Sequence, residues 1–247
     1  MPLYVVLTHL LPGTVKRGVI NPNSTLLLGP DIGDDAGTVP LSCYIIAGPE
    51  LLMKTLLPRL VFWSLNLWVL GYTLVIGLAL LLQFVLGELP CPLCMLQRYG
   101  MILSTLGALW IVRQAQTGTL TLAGYMQGLG LGTLGAFAGA VFAARQVLLH
   151  ILPGDVGYGS PMLGVHLYSW AFITFVVVIV FTGLLGVLST VAIPEAPKEN
   201  SLASHMSSAI GFAFLVMVAI NAVMIVFLEG FNWVLPDDPT GYDLFRQ

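Results

Sequence analysis

Charge is what this sequence has least of. Of its 247 residues only 9% are charged and 57% are hydrophobic, with a mean hydropathy of +0.92. Soluble domains carry about a quarter charged residues, so the composition excludes an ordinary water-soluble domain and indicates the membrane class. The net charge is -3 with no basic cluster, which leaves nucleic acid nothing to hold. Cysteine is scarce too. Cys43, Cys91 and Cys94 are too few to staple a fold, and two of them stand three residues apart. That spacing suggests redox chemistry or metal binding before it suggests structure. The apolar stretches are also poor in acids, which argues against an ion- or proton-conducting transporter.

What is abundant is long apolar sequence. Five stretches, at about 60–86, 95–112, 120–149, 164–190 and 207–228, approach or exceed the roughly 20 residues a helix needs to cross the hydrocarbon. Irregular chain facing lipid would strand its backbone polar groups, so each is expected to be helical. Trp63, Trp68, Trp110, Tyr168, Trp170 and Trp233 cluster near the ends of stretches, as interface anchors do. The expected fold is an all-α membrane bundle. Gly124, Gly128, Gly132, Gly135 and Gly139 recur in steps of four and three, which keeps them on one helical face and predicts a packing seam. Asn66, Asn221 and Glu229 are the polar exceptions, with helix–helix bonding or an interface position as the expected role.

The Lys/Arg bias in the flanks sets orientation. With the N-terminus inside, the inner flanks hold Lys54, Arg59, Arg113 and Lys198, and the outer ones Arg145 and Arg246 among the acids Glu88, Asp155, Asp237, Asp238 and Asp243. This places Cys91 and Cys94 outside, on the oxidising side. Residues 1–52 differ from the rest. Asn21-Pro22-Asn23-Ser24, Gly29-Pro30-Asp31 and Gly33-Asp34-Asp35 are turn signals without a sustained period, and no positive n-region marks a cleaved signal peptide. Met53-Lys54 through Arg59 reads as a membrane protein's natural beginning, so residues 1–52 are expected to be a mobile or mis-annotated extension. Cys43 falls in it, on the inner side, as an unpaired bystander.

The Cys91-Pro92-Leu93-Cys94 pair has the local chemistry of a reactive site. The Gly87–Pro90 loop is too short to bury anything, so Cys91 is expected close to water. Cys94 opens the second stretch, where free N–H groups and the helix dipole favour an anion. Pro92 suits a first helical turn. Arg98 lies one turn beyond Cys94 and two beyond Cys91, and a neighbouring cation lowers a thiol pKa. Arginines near helix ends also snorkel to headgroups without functional role; sharing a face with the cysteine pair favours function. A structural zinc site wants four ligands, and outside only His150 and His166 would complete a set, both explained by interface positions. No metal is expected.

Cys91-Pro92-Leu93-Cys94-Met95-Leu96-Gln97-Arg98, Arg145-Gln146 through His150, and Gly157-Tyr158-Gly159-Ser160-Pro161 running into Gly164-Val165-His166-Leu167-Tyr168-Ser169-Trp170-Ala171-Phe172 resemble the disulfide bond formation protein B family over about residues 58–190. The resemblance implies a four-helix bundle in a bacterial inner membrane. Such a bundle takes electrons from a periplasmic thioredoxin-fold, DsbA-like oxidase or other dithiol protein and passes them to a membrane quinone, ubiquinone or menaquinone. Carried over, Cys91 and Cys94 are the redox disulfide and Arg98 lines the quinone site. Cys94 faces the ring and Cys91 meets the incoming thiolate. The implied division is 1–57 as extension, 58–190 as redox domain, and 191–247 as linker, fifth helix and acidic tail.

Two departures qualify this. Typical members hold a second cysteine pair between the third and fourth spans, whereas 150–163 holds none; the fifth span and the acidic tail are extra. Either a substrate thiol attacks Cys91 directly, past the bare loop 154–159, or a second protein contributes the dithiol, or the activity is lost. The leading expectation is a quinone-coupled thiol oxidase. Its alternatives are a reductive thiol relay and a non-enzymatic scaffold or assembly subunit.

Overall fold

The computed structural model describes residues 41–155, 157–159, 161–232 and 239–245, with side chains from Leu56 onward. The chain divides into Met1–Leu41 and Ser42–Gln247, and the second unit holds the helices discussed below. The turn signals read in residues 21–35, the side chain of Cys43 and the anchor Trp233 lie outside the described residues.

Among the described residues five helices follow one another: α1 (Leu41–Val85), α2 (Pro92–Gln116), α3 (Leu122–Leu149), α4 (Leu167–Val187) and α5 (Leu202–Glu229), with short 3-10 turns at Gly230–Asn232 and Asp243–Phe245. Each matches an expected apolar stretch. The difference is at the start of α1, where residues 41–52 are helical although the segment read as loop. The turn signals end before residue 41, and the apolar Ile45, Ile46, Leu51 and Leu52 continue directly into the span.

Starts of helices follow from sequence. Thr121 accepts a hydrogen bond from Gly124 N (3.0 Å) to begin α3, and Ser201 accepts one from Ser204 N (3.2 Å) to begin α5. Both are ordinary N-caps. At α2 the cap is Cys91, whose sulfur accepts from Cys94 N at 3.3 Å, with Pro92 in the first turn.

Among the described residues four helices are long and apolar enough to cross a membrane: the part of α1 from Leu56, α3, α4 and α5. Along α1, Leu60, Leu67, Leu74 and Leu81 form an exposed stripe, at a seven-residue spacing that keeps one face toward lipid. The second stretch is long but less apolar, because α2 carries Gln97, Arg98, Ser104 and Thr105, all buried. It runs antiparallel to α3 along nearly its whole length. Facing pairs step from Gly100 with Gly139, through Ser104 with Gly135 and Gly107 with Gly132, to Ile111 with Gly128. α2 therefore traverses the same thickness as α3.

The glycine seam predicted on α3 is this contact. A Cβ on Gly100 would lie 2.6 Å from Gly139 Cα, and one on Gly107 would strike the Gly128–Gly132 backbone. Backbones this close need small residues on both sides. α4 adds Phe175 against Gly139 and a Thr133–Thr182 hydrogen bond of 2.8 Å. α1 packs on α4 through Trp68–Phe181 and Tyr72–Phe175 ring contacts. Asn66, read as a helix–helix bonding candidate, accepts from Ser207 Oγ of α5 at 2.7 Å.

Gly107→Ala is expected to destabilise the bundle by about 1–3 kcal/mol, the usual range for overpacking. Gly130→Ala on the lipid face of α3, where no atom lies within 4 Å, should be neutral or slightly stabilising. Thermal unfolding of the detergent-solubilised protein checks the pair; equal midpoints would remove the seam.

Candidate thiol redox site

Gly87–Pro90 joins α1 to α2 and delivers Cys91 as cap and Cys94 in the first helical turn. Both cysteines are free thiols, with sulfurs 2.8 Å apart. A small side-chain rotation would close them into a disulfide, which needs about 2.05 Å. The two do not share one environment. Cys94 lines an apolar cavity of about 270 Å³ between α1, α2 and α4, whereas Cys91 is not among its lining residues and is 6% exposed.

That burial corrects the expectation that the bare loop 154–159 leaves Cys91 approachable. Two residues tie neighbouring elements to the pair and to the loop before it. Gln146 of α3 points Nε2 at both sulfurs, 3.4 Å from Cys91 and 3.6 Å from Cys94. Its Oε1 accepts from Gln97 Nε2, so the amide is held with its donor side toward sulfur. From the α3–α4 loop, Tyr158 donates its hydroxyl to Leu89 O at 2.7 Å. The short loop does not bury itself; the longer one is fastened across it. Hydrogen bonding with Cys94, followed by burial, pushes the Cys91 thiol up from its ordinary pKa, so Cys91 keeps its proton in the dithiol.

The α3–α4 loop has its own fastening. Asp155 accepts from Gly157 N at 2.8 Å and partners His150 Nδ1 at 3.0 Å. These two contacts, the backbone one first, hold its carboxyl below the ordinary range. His150 and His166 both stack on Tyr168, at 5.6 and 5.2 Å between ring centroids. Among the described residues no three His, Cys, Asp or Glu side chains come together as a metal site would require.

Arg98 is 8% exposed and does not snorkel. Its guanidinium donates to Gln83 Oε1 (3.1 Å), Asn221 Oδ1 (3.4 Å) and Ala79 O (3.4 Å). All three acceptors are neutral, so the positive charge is solvated without being cancelled. Arg98 lines the same cavity as Cys94, with Gln97, Glu88, Tyr158 and Tyr168 among the polar residues and Ile76, Leu82 and Met101 among the apolar ones. Reasoning from spacing missed Gln83, and met Gln97, Gln146 and Tyr158 only within the resembling motifs. The available signal was the amides themselves, since polar side chains within apolar spans mark sites.

The family described as Disulfide bond formation protein DsbB matches this chain over residues 62–158, which carry Cys91, Cys94, Arg98, Gln146 and Tyr158. A Disulfide bond formation protein B 1 from Pseudomonas fluorescens is 34% identical over 135 residues, covering 44% of this chain and 80% of the relative. The chain belongs to the disulfide bond formation protein B family. Disulfide bond formation protein B from Chromobacterium violaceum is 42% identical over 84 residues, or 32% of this chain, and the aligned part spans 46% of that relative's length. A third relative of that name, from Polaromonas naphthalenivorans, is 37% identical over 92 residues, 37% of this chain and 52% of its own. No solved structure matches. α4 and α5 both lie beyond the segment that defines the DsbB match.

Tyr158→Phe removes the bond to Leu89 and is expected to speed alkylation of Cys91 in the reduced DsbB-family chain about fivefold, the equivalent of one ordinary hydrogen bond of about 1 kcal/mol. Peptide mass spectrometry after timed labelling reads it. An unchanged rate would mean that the loop does not cover the thiol.

Proposed function

We propose that this chain is a multi-pass protein of a bacterial inner membrane that generates or renews protein disulfides. In this reading it passes electrons from a periplasmic dithiol through Cys91 and Cys94 to a membrane quinone. The observation that carries the reading is that Cys94 and Arg98 line one apolar cavity. Its volume lies just below the ~300–1,000 Å³ range of small-molecule sites. The walls suit an apolar ring and tail, and the guanidinium is a donor for a carbonyl oxygen, so the residues fit a quinone.

The thiol half can be written from the chain's own atoms. With Cys91 and Cys94 joined, a partner thiolate attacks Cys91 Sγ; the new S–S bond forms as the Cys91–Cys94 bond breaks. Cys94 leaves as the thiolate, beside the Gln146 N–H and in the cavity with Arg98. An opposite charge favours the anion most in low dielectric, and a better leaving sulfur speeds exchange. The partner's second thiolate then attacks its own mixed-disulfide sulfur. This releases Cys91, which takes a proton, and the partner departs oxidised by two electrons. Re-forming the Cys91–Cys94 disulfide releases two electrons and the Cys91 proton; a quinone held by Arg98 and the cavity walls would supply the acceptor for them, with the second proton drawn from water.

No cysteine occupies 150–163, so the partner is proposed to reach Cys91 directly. The partner is a DsbA-like thioredoxin-fold oxidase or another dithiol protein. Loosening of the Tyr158–Leu89 bond is the access step in this reading.

Cys91→Ser and Cys94→Ser are each expected to abolish quinone reduction driven by added dithiol. Arg98→Ala should lower kcat/KM for quinone by about ten- to a hundredfold, the scale of a hydrogen bond to a charged group. Stopped-flow absorbance of a soluble ubiquinone analogue in detergent provides the measurement. Undiminished turnover in either cysteine variant sinks the oxidase reading. A pair potential above that of quinone and below that of the partner would support the reverse flow, a reductive relay.

A further inference from the structure

α5 reaches the site from outside the family segment. Asn221 Oδ1 accepts from Arg98, 123 residues away in sequence, and is itself buried at 1% exposure. The C-terminal turn reaches it as well. Tyr242 OH accepts from Gln83 Nε2 at 3.3 Å, while Gln83 Oε1 accepts from Arg98. An apolar cluster fixes both pieces in place: Met95, next to Cys94, is buried with Ile225 and Leu228 of α5, and Leu89 and Tyr242 pack against them. Phe245 of the turn stacks on Phe227 of α5 at 5.6 Å.

We propose that α5 and its C-terminal turn are a positioning element of the redox site, with Asn221 directly and Tyr242 through Gln83 aiming the Arg98 charge at Cys94. The choice of amides is informative. A buried guanidinium left without acceptors carries a large desolvation cost, but a carboxylate acceptor would neutralise the charge that an anion in the cavity needs. Asn221 satisfies the donor and leaves the charge in force. This inference rests on the reading of the cavity as the site where Cys94 becomes anionic.

The titratable and charged groups around Cys94 are Cys91 against its sulfur, then Arg98, Glu88, Tyr158 and Tyr168 along the cavity, with Tyr242 behind Gln83. Asn221→Asp is nearly isosteric and sets a carboxylate on Arg98. Asn221→Leu removes the acceptor and frees the guanidinium to turn away. In a Cys91→Ser background, the rate of Cys94 alkylation by iodoacetamide against pH should shift its midpoint upward by about one unit in the Asp variant. The Leu variant should shift it in the same direction. In the chain with both cysteines, Asn221→Leu should raise KM for a soluble ubiquinone analogue about three- to tenfold with kcat within twofold. Midpoints coinciding with the parent in whichever variant gives a monodisperse protein overturn the inference. If the midpoints move but the parent reduces no quinone, the oxidase reading fails and the positioning role stands. If the parent reduces quinone and the midpoints stay, the reverse holds.

Discussion

The close approach of α2 and α3 is the constraint from which the site follows. Glycine facing glycine lets the two backbones touch, and the gain is dispersion contact that bulkier side chains would forbid. Their antiparallel register sets Gln146, near the end of α3, against the cysteines at the beginning of α2. A wider helix separation would leave the sulfurs facing a gap, and the Gln97–Gln146 bond would not form.

Around that pair the protein builds a graded electrostatic environment. Toward α3 the sulfurs meet an amide N–H; toward α1 and α4 Cys94 meets an apolar cavity; one turn down α2 there is a full positive charge on neutral supports. In low dielectric such a charge acts over several ångströms with little screening. Several of the buried polar residues of this membrane bundle are thus gathered around the cysteine pair. Elsewhere, as in the Asn66–Ser207 and Thr133–Thr182 contacts, they join neighbouring helices.

The helices were legible because apolar length is a strong signal, and the glycine seam because its spacing matches the helical repeat. The cysteine pair and Arg98 were legible for the same reason: they sit within two turns of each other. The places of Gln146, Tyr158 and Gln83 were not, nor was the partner of Asn221, which was read only as a helix–helix bonding candidate; each reaches the site across 15 to 123 residues of sequence and nothing local fixes such distances. The exposure of Cys91 was misjudged by treating its loop in isolation. Gln146 reaches the sulfurs from α3, and Tyr158 reaches the loop carbonyl of Leu89 from the α3–α4 segment; a short loop has no pattern that reports on such neighbours. The reduced apolarity of α2, which sets it apart from the other four helices, is the one local trace of the buried network.

Cys91 has a second occupation besides its place in the pair: its sulfur is the cap of α2. The residue types usual at that position hold an oxygen whose bonding never changes during the protein's work. In the proposed cycle the capping atom is also the one that exchanges covalent partners. Bond-making at that sulfur would then act on the opening turn of the same helix that carries Arg98 two turns on.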